Sequence, residues 1–197
     1  GPDVTLHEVA QDGTEKAALR CADGALIESV LIPEEDRTTL CVSTQVGCPL
    51  ACSFCATGAM GFTRNLRAAE IVHQVCRMAE LLPEGREFSN VVFMGMGEPL
   101  LNVHAVVEAA RLLIHPKAFG LSPRRVTVST VGIVPRIEPL LAAVPVNLAV
   151  SLHATTDAVR DVLVPQNRHF PLAVLLGALK ALAQISQTPS AVANRVK

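Results

Sequence analysis

The sequence contains no tryptophan and no tyrosine, and its six phenylalanines supply all of the 3% aromatic content. A chain so poor in flat side chains has little with which to build a stacking platform for single-stranded bases. It also lacks a charge excess. The 17 Lys and Arg stand against 18 Asp and Glu, leaving a net charge of −1 and a pI near 6.6. That balance gives no global basic signature for nucleic acid, so any RNA contact must come from a local patch or from parts outside this chain. No apolar run reaches membrane-spanning length, because Lys180 interrupts the longest, and no signal-peptide pattern is present. The expectation is a protein of the reducing cytoplasm with no membrane partner, a setting that suits exposed thiols.

What the chain does have is burial potential and a concentration of thiols. Apolar residues are 50% of the 197 and charged residues 18%, enough for one domain with a real core. Three of the six cysteines fall in Gly47-Cys48-Pro49-Leu50-Ala51-Cys52-Ser53-Phe54-Cys55. An odd trio cannot pair off, and neighbours this close have few geometries for bridging. Zinc generally takes a fourth protein ligand, and the sequence offers no second C-x-x-C pair or H-x-x-x-H partner. An iron–sulfur cubane can be held by three cysteines with one iron left open. Two readings follow: a cluster with a vacant iron, which is favoured, and a zinc knuckle completed by a histidine or by Cys41.

Along the chain, Val4 to Val9, Glu15 to Cys21 and Ala25 to Ile32 read as strands separated by Asp12-Gly13 and Asp23-Gly24. Asp-Gly between strand-like runs is a strong hairpin signal, since glycine supplies the positive φ the turn requires. From residue 38 the texture becomes alternating. Strands are expected at Thr39 to Thr44, Asn90 to Met94, Arg125 to Ser129 and Val146 to Ser151. Helices are expected over 67 to 82, Val103 to Ile114 with Asn102 as cap, Pro135 to Ala143, Asp157 to Leu163 and Pro171 to Ile185. Arg195-Val196-Lys197 reads as the start of a fifth strand. Continuous apolar strands alternating with helices imply a parallel sheet with helices outside. The fold class expected is α/β: a partial (β/α) barrel over residues 38 to 197, preceded by a small antiparallel β extension over residues 3 to 37. In such barrels chemistry sits at the C-terminal strand ends. The cysteine loop, Gly97-Glu98, Ser129-Thr130 and Ser151-Leu152-His153 all fall at such ends.

The C-x3-C-x2-C spacing of Cys48, Cys52 and Cys55, with Phe54 before the last cysteine, resembles the radical S-adenosylmethionine (SAM) signature. The string GCPLACSFCATGAMGFTRNL, with Met94-Gly95-Met96-Gly97-Glu98-Pro99-Leu100 and Ser151-Leu152-His153-Ala154, resembles the RlmN/Cfr family of adenosine C2/C8 methyltransferases, on its RlmN side. The resemblance covers residues 25 to 175. It implies that Cys48, Cys52 and Cys55 ligate a 4Fe-4S cluster whose open iron chelates S-adenosyl-L-methionine. Reduction then cleaves the sulfonium to a 5′-deoxyadenosyl radical, chemistry that the cofactor supplies and the protein positions. Gly97, Glu98, Ser129, Ser151, Leu152 and His153 match cofactor-contacting positions. Cys41 matches a cysteine that resolves a methyl-carrying cysteine through a disulfide. Glu28 matches a proton acceptor, a sensible base only where it is partly buried.

Taken by themselves several of these residues read more plainly. Cys41 is a small core residue, Glu28 an exposed strand carboxylate, Ser129 a strand-end hydroxyl and His153 a satisfied histidine. The partners implied by the resemblance are 23S rRNA, with tRNA as a further candidate, and a reductant such as flavodoxin, the protein itself being a monomer. Arg64, Arg67, Arg124, Arg125 and Arg168 are the basic spots that could meet phosphates. No cysteine follows Cys76, so the methyl-carrying cysteine has no counterpart here. The expectation is a chain truncated at both ends relative to the family and inactive alone in methyl transfer. A cluster- or RNA-binding fragment and a C8-directed enzyme are the alternatives.

Overall fold

The computed structural model describes residues 1–35 and 37–186, so the strand expected at 195–197 lies outside the described residues. Three strands open the chain as a meander: β1 (Asp3–Val9), β2 (Glu15–Arg20) and β3 (Leu26–Pro33). Both turns behave as their sequences predict. Gly13 and Gly24 adopt φ of 82° and 85°, while Asp12 and Asp23 accept hydrogen bonds from the Thr14 and Ala25 amides.

β4 (Thr38–Cys41) pairs antiparallel with β3, so the extension is continuous with the main sheet. Beyond β4 the chain forms a two-stranded ribbon, β5 (Gln45–Gly47) with β6 (Phe62–Asn65), that brackets the cysteine loop and the single turn α1 (Ala56–Ala59). Helix α2 (Ala68–Ala79) follows, then β7 (Asn90–Phe93), α3 (Val103–Ile114), β8 (Val126–Thr130), α4 (Val134–Ala143), β9 (Asn147–Val150), α5 (Asp157–Leu163) and α6 (Leu172–Ser186). The seven-stranded sheet runs β1-β2-β3-β4-β7-β8-β9, with β4, β7, β8 and β9 parallel. This is the partial (β/α) barrel that the alternation predicted, with the antiparallel extension that the Asp-Gly turns predicted.

Register explains how the two faces differ. Leu40, Val91, Phe93, Val126, Val128 and Leu148 share one face and are fully buried against the helices. Helix α2 meets them with Ile71, Val75 and Met78, each fully buried and worth about 1.5–3 kcal/mol against exposure. The opposite, inner face carries Cys41, Val92, Thr127, Ser129 and Ala149, most of them half-buried.

The expected strand 39–44 stops pairing as a regular ladder after Cys41. Ser43 is instead gripped by the buried side chain of Gln74 on α2, whose Oε1 accepts from the Ser43 amide at 2.8 Å while Nε2 donates to its carbonyl at 2.9 Å. Asn102 also departs from expectation. It stands at the N-cap position of α3, but its side chain makes no capping bond. Its amide donates instead to the carbonyls of Thr44 at 2.8 Å and Leu66 at 2.7 Å. Two buried carbonyls outweigh a cap that water or a turn can replace.

Candidate active site

A cleft of about 260 Å³ opens at the C-terminal ends of β7, β8 and β9. Cys48, Cys52, Phe54 and Cys55 of the cysteine loop line it together with Gly97, Glu98, Ser129, Ser151 and His153. The cysteine loop owes its shape to glycine. Gly47 holds φ at 75°, and a Cβ there would run into the Gly61 carbonyl, which instead accepts a hydrogen bond from the Cys48 amide at 2.8 Å. Cys55 closes a turn onto the Cys52 carbonyl at 3.0 Å, and the Ser53 amide docks on the Leu163 carbonyl of α5 at 3.0 Å.

Three buried amide side chains fasten the stem of this loop. Gln74 holds Ser43, Asn102 holds Thr44, and Gln45 accepts the Glu98 amide at 2.8 Å while donating to Asn65 at 2.7 Å. Gly97 is required beside Gln45: its φ is 98°, and a Cβ would lie 2.5 Å from the Gln45 Cβ. Glu98 is 3% exposed, and its carboxylate oxygens accept from the Leu100 and Val131 amides, both at 3.0 Å. Burial pushes its pKa above the usual carboxylate value, against the pull of those amides. Ser129 and Ser151 face each other at 3.3 Å between hydroxyls. His153, at φ 61°, packs its ring against Phe54 with centroids 4.5 Å apart, and burial lowers its pKa.

The thiols are conditioned by the same cleft. Burial raises the Cys48 pKa, and burial with repulsion from Cys48, Cys55 and Glu98 pushes Cys52 up to about 11. Metal binding would reverse that bias, since a coordinated thiol is deprotonated outright. Among the described residues, no three His, Cys, Asp or Glu side chains already form a gathered ligand set. The donor set nevertheless suits a three-cysteine cluster. Three thiols face one cleft, the nearby Glu98 carboxylate accepts one backbone amide on each oxygen and keeps further acceptor capacity, and room remains beside them for a cofactor.

Three predicted residues lie outside this lining. Leu152 offers its carbonyl to Arg160 rather than its side chain to the cleft. Cys41 is 9% exposed on the inner face, opposite Val30 and Val92, and burial pushes its pKa to about 11. Glu28 is exposed, and its carboxylate lies 3.4 Å from the Lys16 ammonium. Its carbonyl accepts from the Ser43 hydroxyl at the cleft end of β4. Of the basic spots, Arg64 is committed to Asp23 and Glu70. Arg124 and Arg125 precede β8, at the sheet end away from the cleft.

Sequence reasoning missed Gln74, Gln45 and Arg160. Gln74 left a signal, a polar residue within the apolar stripe of Ile71, Val75 and Met78. Arg160 left none, since an arginine flanked by Asp157 and Asp161 on a short helix reads as solvated surface charge.

Parallel strands with helices on one face, and polar residues collected at the C-terminal strand ends, define an α/β enzyme core of the open-barrel class. The chain belongs to the Radical SAM superfamily, whose family model matches residues 42–187. It is 55% identical over 179 residues to the dual-specificity RNA methyltransferase RlmN of Geotalea uraniireducens (strain Rf4), covering 91% of this chain and 51% of that protein. To the protein of the same name from Geobacter sulfurreducens it is 54% identical over 173 residues, 88% of this chain and 47% of the relative. A solved radical SAM methyltransferase from Sphaerobacter thermophilus superposes with a TM-score of 0.89 at 46% identity, covering 93% of this chain and 55% of that one. The chain thus spans about half the length of the curated relatives it matches. Radical SAM proteins use a 4Fe-4S cluster and S-adenosylmethionine, and the thiol trio beside a largely apolar cleft carrying Glu98, Ser129 and Ser151 fits both. No helix among the described residues is long and apolar enough to cross a membrane.

Proposed function

We propose that this chain is the cluster- and cofactor-binding part of a radical SAM RNA methyltransferase that methylates C2 of an adenosine in 23S rRNA, with tRNA as a further substrate. One observation carries the reading. The three thiols of the C-x3-C-x2-C loop share a single cleft with Gly97, Glu98, Ser129, Ser151 and His153, in a chain 55% identical to a protein named RlmN. In this reading Cys48, Cys52 and Cys55 hold the cluster. When bound, the cluster supplies an electron to the SAM sulfonium, delivered to it by a reductant such as flavodoxin.

The chain's own residues bind, orient and exclude water. The buried Glu98 carboxylate and the backbone at Gly97 receive the cofactor's amino group, where close approach needs a residue without Cβ. Ser129 and Ser151 supply hydroxyls to its polar end. His153 with Phe54 walls the loop side of the cleft. Leu152 acts through its backbone. Cys41 is the resolving cysteine and Glu28 the proton acceptor, both on strands whose inner face adjoins the cleft. Both need a further segment or substrate over them, Cys41 to meet a partner thiol and Glu28 to lose water.

The test is mass spectrometry of RNA nucleosides. 23S rRNA that lacks the modification is incubated anaerobically with reconstituted protein from the complete reading frame, SAM and reduced flavodoxin. The expected product is 2-methyladenosine. A yield of 8-methyladenosine would move the assignment to C8, and SAM cleavage with unmodified RNA would contradict the methyltransferase reading.

A further inference from the structure

Arg160 is 1% exposed and heads the buried side chains by size, yet it forms no ion pair with a carboxylate among the described residues. Every bond its guanidinium makes is to a carbonyl-type oxygen. Nε donates to Leu152 at 2.9 Å, Nη2 to Val131 at 2.5 Å and to Ser151 at 3.4 Å, and Nη1 to the Asn167 side chain at 2.6 Å. Asp157 and Asp161 accept from the Asn167 amide, so they brace the arginine at one remove. A buried cation is costly to keep without a directly paired anion, and here Asp157 and Asp161 act on it only through space and through Asn167.

The acceptors show what it is for. Val131 directly follows β8, and its amide holds the Glu98 carboxylate. Ser151 and Leu152 follow β9, immediately before His153. The helix that carries Arg160 also receives the cysteine loop, through the Ser53 amide on the Leu163 carbonyl. One side chain therefore ties two strand ends to each other and to the element on which the thiol loop rests. Only a planar fork with several donors can do this; an ammonium is a single point with no fixed plane.

We propose that Arg160 is a positioning residue, fixing the thiol loop against the Glu98, Ser151 and His153 wall so that the open iron and the cofactor's polar end fall within reach of each other. This rests on the reading of the cleft given above. Arg160 touches neither group itself and acts through the backbone of Val131, Ser151 and Leu152.

The test compares the 197-residue chain with R160K and R160Q, taking R111Q as a control arginine whose carbonyl bond, to Ala143, lies away from the cleft. After anaerobic reconstitution with iron and sulfide, iron content, SAM binding by equilibrium dialysis and the change in the reduced cluster's EPR spectrum on SAM addition are measured. In metal-free protein, hydrogen exchange is read at Val131 and Ser53. R160Q is expected to melt as a folded protein and keep its iron, while SAM affinity falls at least tenfold and both amides exchange faster. R160K is expected to rescue less than half of that loss on a logarithmic scale, and R111Q to match the parent. Parental SAM affinity with unchanged exchange in R160Q overturns the proposal, as does full rescue by R160K, which would leave only a charge. Should R160Q not fold, R160K alone decides: parental affinity overturns, and a selective loss with iron retained supports. Should the parent chain take up no iron, the reading of the cleft fails, while the exchange measurement still tests the tie.

Discussion

Cys41 and Glu28 show how differently two residues of one strand pair can stand. Val30 lies opposite Cys41, and the Glu28 carbonyl meets Ser43, so both residues belong to the inner face near the cleft. Cys41 is sealed, with burial lifting its pKa to about 11, whereas Glu28 is open to water and pairs with Lys16. At pH 8, well below that value, Cys41 is held as the thiol, and its burial also keeps reagents away. Iodoacetamide at that pH should therefore leave Cys41 unmodified in the native chain and label it after unfolding, as read by peptide mass spectrometry. Rapid native labelling would mean that the strand opens readily. Gly97 gives a second residue-scale prediction. Its φ of 98° and the 2.5 Å approach of any Cβ to Gln45 should make G97A lose about 1–3 kcal/mol in urea unfolding, with weakened SAM binding. Gly97 was legible as a strand-end glycine, whereas the roles given to Cys41 and Glu28 came from the resemblance alone, since by themselves they read as a core residue and an exposed strand carboxylate. The plain reading of Glu28 as an exposed strand carboxylate is the one the structure bears out; what was not legible is what would cover it.

At the scale of elements, periodicity and Asp-Gly turns were sufficient for the strands and helices of the main sheet. They failed where a side chain replaces a ladder. Nothing in the run through Thr44 shows that Gln74 will take over the hydrogen bonds of Ser43, or that Asn102 will abandon its cap for two carbonyls. The ribbon of β5 and β6 was likewise hidden, since it is short and is closed by contacts around Gly47 and Gly61. One ion-pair network joins these elements. Arg64 of β6 binds Glu70 of α2 through two nitrogens at 3.0 and 2.9 Å, and Asp23 of the β2–β3 turn at 2.6 Å. Its hydrogen bond lowers Asp23 to about 2. For Glu70 burial acts upward, but Arg64 and the Arg67 amide bring the net below the ordinary 4.5. Both folded pKa values are depressed, so their stabilisation is present above the unfolded values of 3.8 and 4.5. It is lost as pH falls toward 2. The urea midpoint should drop between pH 5 and pH 3, and R64M should flatten that drop. An unchanged slope in R64M would remove the network from the account.

For the whole molecule, the fold concentrates its chemistry on one rim. Helices seal one face of the sheet, the inner face stays partly open, and the thiol loop arches over the C-terminal strand ends beside Glu98, Ser129 and Ser151. The alternation of apolar strands and helices was enough to foresee the half-barrel and its rim. Arg160 was not foreseeable, because its role exists only once α5 is packed against two strand ends. The central claim is that this rim holds a three-cysteine cluster with a free iron that takes SAM. Its most direct test is anaerobic reconstitution of the 197-residue chain with iron and sulfide, followed by dithionite reduction and EPR with and without SAM. The account predicts close to four irons per chain, a reduced 4Fe-4S signal that changes when SAM is added, and loss of both iron and signal in C52A with its folded melt retained. Stoichiometric zinc without iron, or a cluster signal indifferent to SAM and to C52A, would contradict it.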